Sequence, residues 1–427
     1  MNKSILTCVM AVLLTGSAHA QSGTNSPYSQ YGVGVLSDQS QGFNRGMNGV
    51  GLGMRRGNVV NTLNPASYSE VDSLTMLFDV GLSGQITNFK EGGTAVNARN
   101  ADFEYAVGSF RLLPSVGVAF GVLPYSNVGY QYSTMTYLSS TEGAIAESYT
   151  GSGGLHSAFV GVGWRIVKPL SVGVNIGYLW GSLNRQVASG STETINSLSK
   201  KYSATVDNYI VDFGMQWSQK LGKHDNVTVG ATFGLGHKLN ADPKCEIINI
   251  NSTVSESDTT SLVAHDGLEL PMTYGVGLTW SHRQQWLVGA DFTLQQWGKT
   301  SYPVYDSQSN TYASRKGFLT DRYKVNVGAD FVPDAMSRKF INRVHYRFGG
   351  GFATPYYYIN GNKGPKEYSA SIGFGIPLQN AWNNRSVLNL SARWSHRSAK
   401  DMITENTFML NIGLTFNERW FMKWKID

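Results

Sequence analysis

The sequence predicts an all-β protein, a fourteen-stranded antiparallel transmembrane β-barrel with an N-terminal hatch or plug inside its lumen. Three observations predict it. Of 427 residues only 15% are charged, against an ordinary ~25%, while 48 are glycine and 12% are aromatic. Long stretches alternate apolar and small polar residues with period two. The connections between them alternate between short and long, as outer-membrane barrels do. Mean hydropathy is −0.21 and no apolar run reaches ~18 residues, which excludes a multi-span helical membrane protein. Low charge with abundant aromatics excludes a disordered chain. Two cysteines exclude a disulfide scaffold.

Residues 1–20 read as an export signal. Lys3 supplies the positive start, Ile5 to Leu14 the apolar stretch, and Ala18-His19-Ala20 a small-x-small cleavage site. Cys8 lies inside the apolar stretch behind Thr7, too early and too crowded for lipidation. Cleavage removes one lysine, so the net charge falls from +6 to +5, too little to argue for nucleic acid. It leaves Cys245 alone, without a partner for an internal disulfide.

Residues 21–72 are rich in Gly, Asn and Ser and show no sustained alternation. From Leu74 to Phe416 alternation dominates. Leu170, Val172, Val174, Ile176, Tyr178 and Trp180 share one face, opposite Ser171, Gly173, Asn175, Gly177 and Gly181. Phe408, Leu410, Ile412, Leu414 and Phe416 repeat the pattern opposite Asn411, Gly413 and Thr415. A soluble sandwich and a membrane barrel both alternate. The polar face here carries Gly, Ser and Asn rather than Lys and Glu, the strands are long, and tryptophans fall near strand ends. These features select the barrel. Trp164, Trp217, Trp280 and Trp286 mark one girdle; Trp180, Trp297 and Trp394 mark the other. The spans give fourteen strands within 73–416, including single strands at 225–250, 285–299 and 342–358. Both termini then lie on the periplasmic side, with 417–427 as a basic-aromatic tail suited to that interface or to a partner.

The segment Arg45-Gly46-Met47-Asn48-Gly49-Val50-Gly51-Leu52-Gly53 leads to Asn64-Pro65-Ala66, just before strand one. This resembles the hatch of the FadL/TodX family of hydrophobic-compound transporters, whose barrels also have fourteen strands. The resemblance implies that Asn64, Pro65 and Ala66 belong to the hatch, although a plain turn accounts for Asn-Pro equally. The same glycines lack the strand–turn–helix setting of a dinucleotide site. The family also has a kinked third strand that lets ligand leave sideways. Here Leu123-Pro124-Tyr125-Ser126-Asn127 interrupts the third strand. Proline cannot donate to the ladder, so Pro124 marks either such a lateral gate or a bulge near the rim.

The sequence supplies no catalytic motif, no trusted metal-ligand spacing and no cofactor site, so no enzyme is expected. Arg343, His345 and Arg347 form an inward basic stripe on one strand that, with Arg165 and Arg393, balances inward Asp212, Asp291 and Asp330; these charges either hold the lumen by ion pairs to the hatch or form a ligand site. Inward Phe159, Leu179, Leu287 and Met409 either contact a greasy ligand or pack against the hatch. The expected partners are outer-membrane lipid and a hydrophobic small molecule such as a long-chain fatty acid, released through the wall. The alternative is a FadL-like component of a protein secretion or surface-attachment machinery, with an envelope protein partner. An open porin is disfavoured by the plug-like N-terminus.

Overall fold

The computed structural model describes residues 23–137, 144–191, 196–251, 256–378 and 386–418. The expected signal peptide and the tail from Arg419 to Asp427 lie outside the described residues. The first seven barrel strands are β1 (Met76–Glu91), β2 (Thr94–Leu113), β3 (Val116–Tyr137), β4 (Ala144–Arg165), β5 (Leu170–Ser191), β6 (Asn196–Leu221) and β7 (Asp225–Gly234). The other seven are β8 (Thr273–His282), β9 (Trp286–Gln295), β10 (Arg322–Phe331), β11 (His345–Ala353), β12 (Lys366–Leu378), β13 (Ser386–Ser398) and β14 (Thr404–Glu418). Each pairs antiparallel with the next, and β14 returns to β1 from Lys90↔Thr404 to Met76↔Glu418. The barrel is therefore closed with fourteen strands, and no edge is left at the seam.

The outward face is apolar. Val160, Ile176, Phe213, Leu278, Phe348 and Ile412 are each exposed, as a lipid-facing band requires. Trp164, Trp217, Trp280 and Trp286 are exposed near the short turns, and Trp394 is exposed toward the opposite rim. Trp297 departs from the expected girdle. It is fully buried in a short 3₁₀ turn beyond β9 and packs on Tyr356, with ring centroids 4.8 Å apart. The stretch 285–299 is therefore a strand only to Gln295.

Two other spans differ from the sequence pattern. The stretch 225–250 splits into β7 and an outer-loop strand, Lys244–Asn251, that pairs with Glu256–Val263 and with the outer end of β6. Asn240 at φ 43° and Pro243 lie between the halves and break the ladder. The span 342–358 shrinks to β11, because Phe340–Arg343 forms one helical turn.

The inner face is packed by residues 23–72. Small inward positions let that segment's backbone lie directly on the strands. A Cβ on Gly117 would stand 1.8 Å from the Tyr68 carbonyl oxygen, and one on Gly230 would stand 1.9 Å from that of Leu52. The Gly/Ser face read in the sequence is thus a packing surface for the N-terminal segment as well as a lumen wall.

Candidate functional site in the lumen and wall

Asn64 caps the 3₁₀ helix Pro65–Glu70. Its Oδ1 accepts from the Ala66 N–H at 3.1 Å, and its Nδ2 donates to the carbonyls of Leu52 at 2.8 Å and of Met215 on β6 at 3.2 Å. Pro65 suits the first helical position because no partner exists there for an N–H. Asn64, Pro65 and Ala66 are buried. One side chain therefore ties the turn, the preceding loop and the wall together. The turn expected from Asn-Pro is present, and it is the anchor of the segment.

The segment is also held by charge. Asp330 on β10 meets Arg347 at 3.0 Å, Arg56 at 3.2 Å and His345 Nδ1 at 3.0 Å. Arg347 also lies over the Phe43 ring at 4.0 Å. Arg45 pairs with Glu104 of β2 at 2.9 Å. Asp291 of β9 accepts from the N–H groups of Gly51 at 2.6 Å and Leu52 at 2.9 Å. Arg393 joins Asp38 at 2.9 Å to Glu367 at 3.0 Å. Burial opposes ionisation of Asp38, but Lys324, Arg393 and Arg45 together hold its carboxyl well below the usual carboxylate range. The sequence marked Asp291, Asp330, His345, Arg347 and Arg393 of the wall. It missed Glu104 and Glu367 there, and the pairing of Asp38, Arg45 and Arg56 in the N-terminal segment, although charges in a charge-poor, glycine-rich segment need buried partners.

Three expectations are corrected. Arg343 lies on the helical turn before β11, so the strand's basic stripe is His345 and Arg347 only. Arg165 reaches Glu70 of the N-terminal segment at 3.5 Å rather than a wall aspartate. Asp212 lines a cavity.

The wall is broken beside Pro124. β2 and β3 pair from Leu113↔Val116 to Ala106↔Val122 and no further. Beyond that rung β2 pairs with β1 alone, and β3 pairs with β4 across a bulge at Pro124/Ser126. The N-terminal segment lies against the free edge of β3. Val35 and Leu36 pair with Asn127 and Ser126, the Ser37 N–H donates to the Tyr125 carbonyl at 3.0 Å, and Gln39 Nε2 donates to the Pro124 carbonyl at 2.6 Å. Behind the break lies a cavity of about 240 Å³, lined by Leu36, Leu63, Leu123, Tyr125, Phe159 and Ile210, with Arg322 and Lys324 on its polar side.

The four inward apolar candidates do not converge. Phe159 lines the cavity and packs with Tyr68 and Leu123. Leu179 is fully buried in the outer cluster built on Tyr28, Val33 and Tyr356. Leu287 packs with Phe43, Met47 and Val50 of the N-terminal segment. Met409 lines a separate, charged pocket of about 130 Å³. Among the described residues no group of three His, Cys, Asp or Glu comes together to hold a metal.

A closed fourteen-stranded barrel, with its own N-terminal segment packed on the inner wall and its ladder interrupted at the third strand, defines an outer-membrane protein of the FadL/TodX fold. The chain belongs to the BamG family, whose sequence model matches residues 1–427. Among solved structures it is similar to the Pseudomonas putida toluene transporter TodX, at 16% identity and TM-score 0.60, covering 92% of this chain and 100% of that one. The Ralstonia pickettii toluene transporter TbuX matches at 14% identity and TM-score 0.59, covering 88% and 98%. A Pseudomonas aeruginosa FadL homologue matches at 11% identity and TM-score 0.58, covering 90% and 99%. No curated protein matches by sequence. At these identities the solved structures establish the fold.

Proposed function

We propose that this protein passes a small hydrophobic molecule across the outer membrane, with lateral release through the break beside Pro124. The observation that carries this reading is the end of the β2–β3 ladder at Ala106↔Val122, with an apolar-walled cavity directly behind it. A path into lipid lets an apolar molecule avoid water, at ~0.8 kcal/mol per CH₂ kept buried. The N-terminal segment is the gate in this reading, because its residues 35–39 are bonded to the β3 edge. The cavity's volume of about 240 Å³ favours a compact ligand over a long acyl chain. A cavity of about 150 Å³ already accommodates benzene. Toluene and monoaromatic hydrocarbons, the cargoes named for TodX, TbuX and the channel CymD, are of the right size class.

A second reading is favoured by a different observation. Leu179 and Leu287 are consumed by packing, and ion pairs from Arg45, Arg56 and Asp38 to several strands hold the N-terminal segment. A barrel so filled suits a component of a protein secretion or attachment machinery that transports nothing. Mass spectrometry of small molecules extracted from the purified barrel separates the two. A single enriched apolar compound, lost in Phe159→Asp, supports passage. An empty barrel that co-purifies with one stoichiometric protein supports the second reading.

A further inference from the structure

At the end of the barrel that carries the short turns lies a cup of about 1270 Å³, floored by Arg55, Arg56 and Asn58 of the N-terminal segment. Its lining holds seven Lys and Arg against three Asp and Glu. Some of that charge is compensated. Arg55 and Arg165 share Glu70, and Arg56 pairs with Asp330. Four cations are not. Lys168 on the β4–β5 turn, Lys220 and Lys223 around the β6–β7 turn, and Arg283 on the β8–β9 turn are exposed. None has an acidic partner among the described residues.

We infer that this cup is a docking site for an acidic polypeptide segment of a periplasmic partner, a stretch carrying several Asp or Glu residues. Charge complementarity and spacing carry the inference. The four free cations come from three separate turns around one concavity, so a single small anion cannot meet them all, whereas a chain with several carboxylates can. Lipid headgroups are the poorer fit. The β4–β5 and β6–β7 turns present Ile166, Val167 and Leu221 as exposed apolar residues that do not line the cup, whereas the lysines of the same turns do. Like-charged walls around a concavity also raise the local concentration of an opposite charge and speed encounter. The inference stands apart from whether the lumen carries a ligand.

The test uses the full mature chain in neutral detergent and a fluorescent octaglutamate peptide, with anisotropy as the readout. Wild type is expected to bind, with affinity falling as salt is raised. The variant Lys168→Glu/Lys220→Glu/Lys223→Glu/Arg283→Glu is expected to bind about tenfold or more weakly. Reversal of two outer-loop cations, Lys299→Glu/Lys316→Glu, is expected to leave binding unchanged. An unaltered gel shift on heating confirms that each variant is a folded barrel. Three results would overturn the inference: no peptide binding by wild type at low salt, equal binding by the fourfold variant, or full displacement of the peptide by phosphatidylglycerol micelles or inorganic phosphate. The second would place the contact elsewhere, and the third would make the cup a general anion or lipid site.

Discussion

β1 and β2 are neighbours in the wall, yet their outer flanks differ. On one side β1 meets β14 over fifteen consecutive rungs, from Met76↔Glu418 to Lys90↔Thr404. On the other, β2 meets β3 over seven rungs and stops at Ala106↔Val122. The seam has an unbroken ladder and no proline. The break has Pro124 two residues past its last rung, and two residues of the N-terminal segment pair with β3 where β2 does not. A barrel wall is thus held by its own ladder at one flank and by a docked segment at the other. The contrast says that disturbing the docked segment should affect the broken wall far more than the seam.

The largest expected effect comes from Arg347→Leu. It leaves Asp330, which is fully buried, with only Arg56 and His345, and it removes the guanidinium that lies over Phe43 of the N-terminal segment at 4.0 Å; breaking such a buried pair costs about 3–5 kcal/mol. Thermal unfolding in detergent should fall accordingly, and protease should reach residues 23–72 while the β-sheet signal at lower temperature persists. If the segment stays protected, the docking contrast is wrong. Asp291→Ala comes next. It removes the acceptor for two buried N–H groups and is expected to cost about 2–3 kcal/mol, again read as protease access to the segment before barrel melting. Asn64→Ala deletes the cap and two carbonyl contacts, for about 1–2 kcal/mol. Asn64→Asp keeps the cap acceptor but sets a buried carboxylate oxygen against the Leu52 and Met215 carbonyls, and so should cost at least as much as alanine.

These sites differ in how far the sequence announced them. The barrel was legible because lipid and lumen impose period two on every strand, and because turn lengths alternate between the two rims. Pro124 was legible for a similar reason: a residue without an N–H cannot sit unnoticed in a ladder. What the sequence hid was pairing across distance. Arg45 and Glu104 are 59 positions apart and Arg56 and Asp330 far more, and no local pattern links them. The same limit applies to Phe159, Leu179, Leu287 and Met409. All four read as inward apolar residues, yet they fall into three packed clusters and a charged pocket. Face is a local property, while the level along the barrel axis and the neighbour met there depend on register. Trp297 was misplaced because β9 ends at Gln295 and the chain turns inward.

The smallest expected effect sharpens the comparison through pH. Asp38 sits on the docked segment within its bonds to the broken edge, and its folded carboxyl is held below its unfolded value. A group depressed in the folded state contributes stability above its unfolded pKa of ~3.9 and loses it as pH falls through the folded pKa. Docking should therefore weaken only in strong acid, with no change between about pH 5 and 8 from this group. Asp38→Asn removes the charge but keeps the shape, and Arg393 retains Glu367 at 3.0 Å. The cost at neutral pH should thus be modest, about 1 kcal/mol, and the difference from wild type should vanish as wild-type Asp38 is protonated. A cysteine placed at Ser37 and labelled with a maleimide across a pH series, in both backgrounds, reads this directly. Convergence of the two labelling rates in acid supports a segment held to the β3 edge partly by charge. Parallel curves at every pH would mean that its backbone bonds to Pro124, Tyr125, Ser126 and Asn127 suffice.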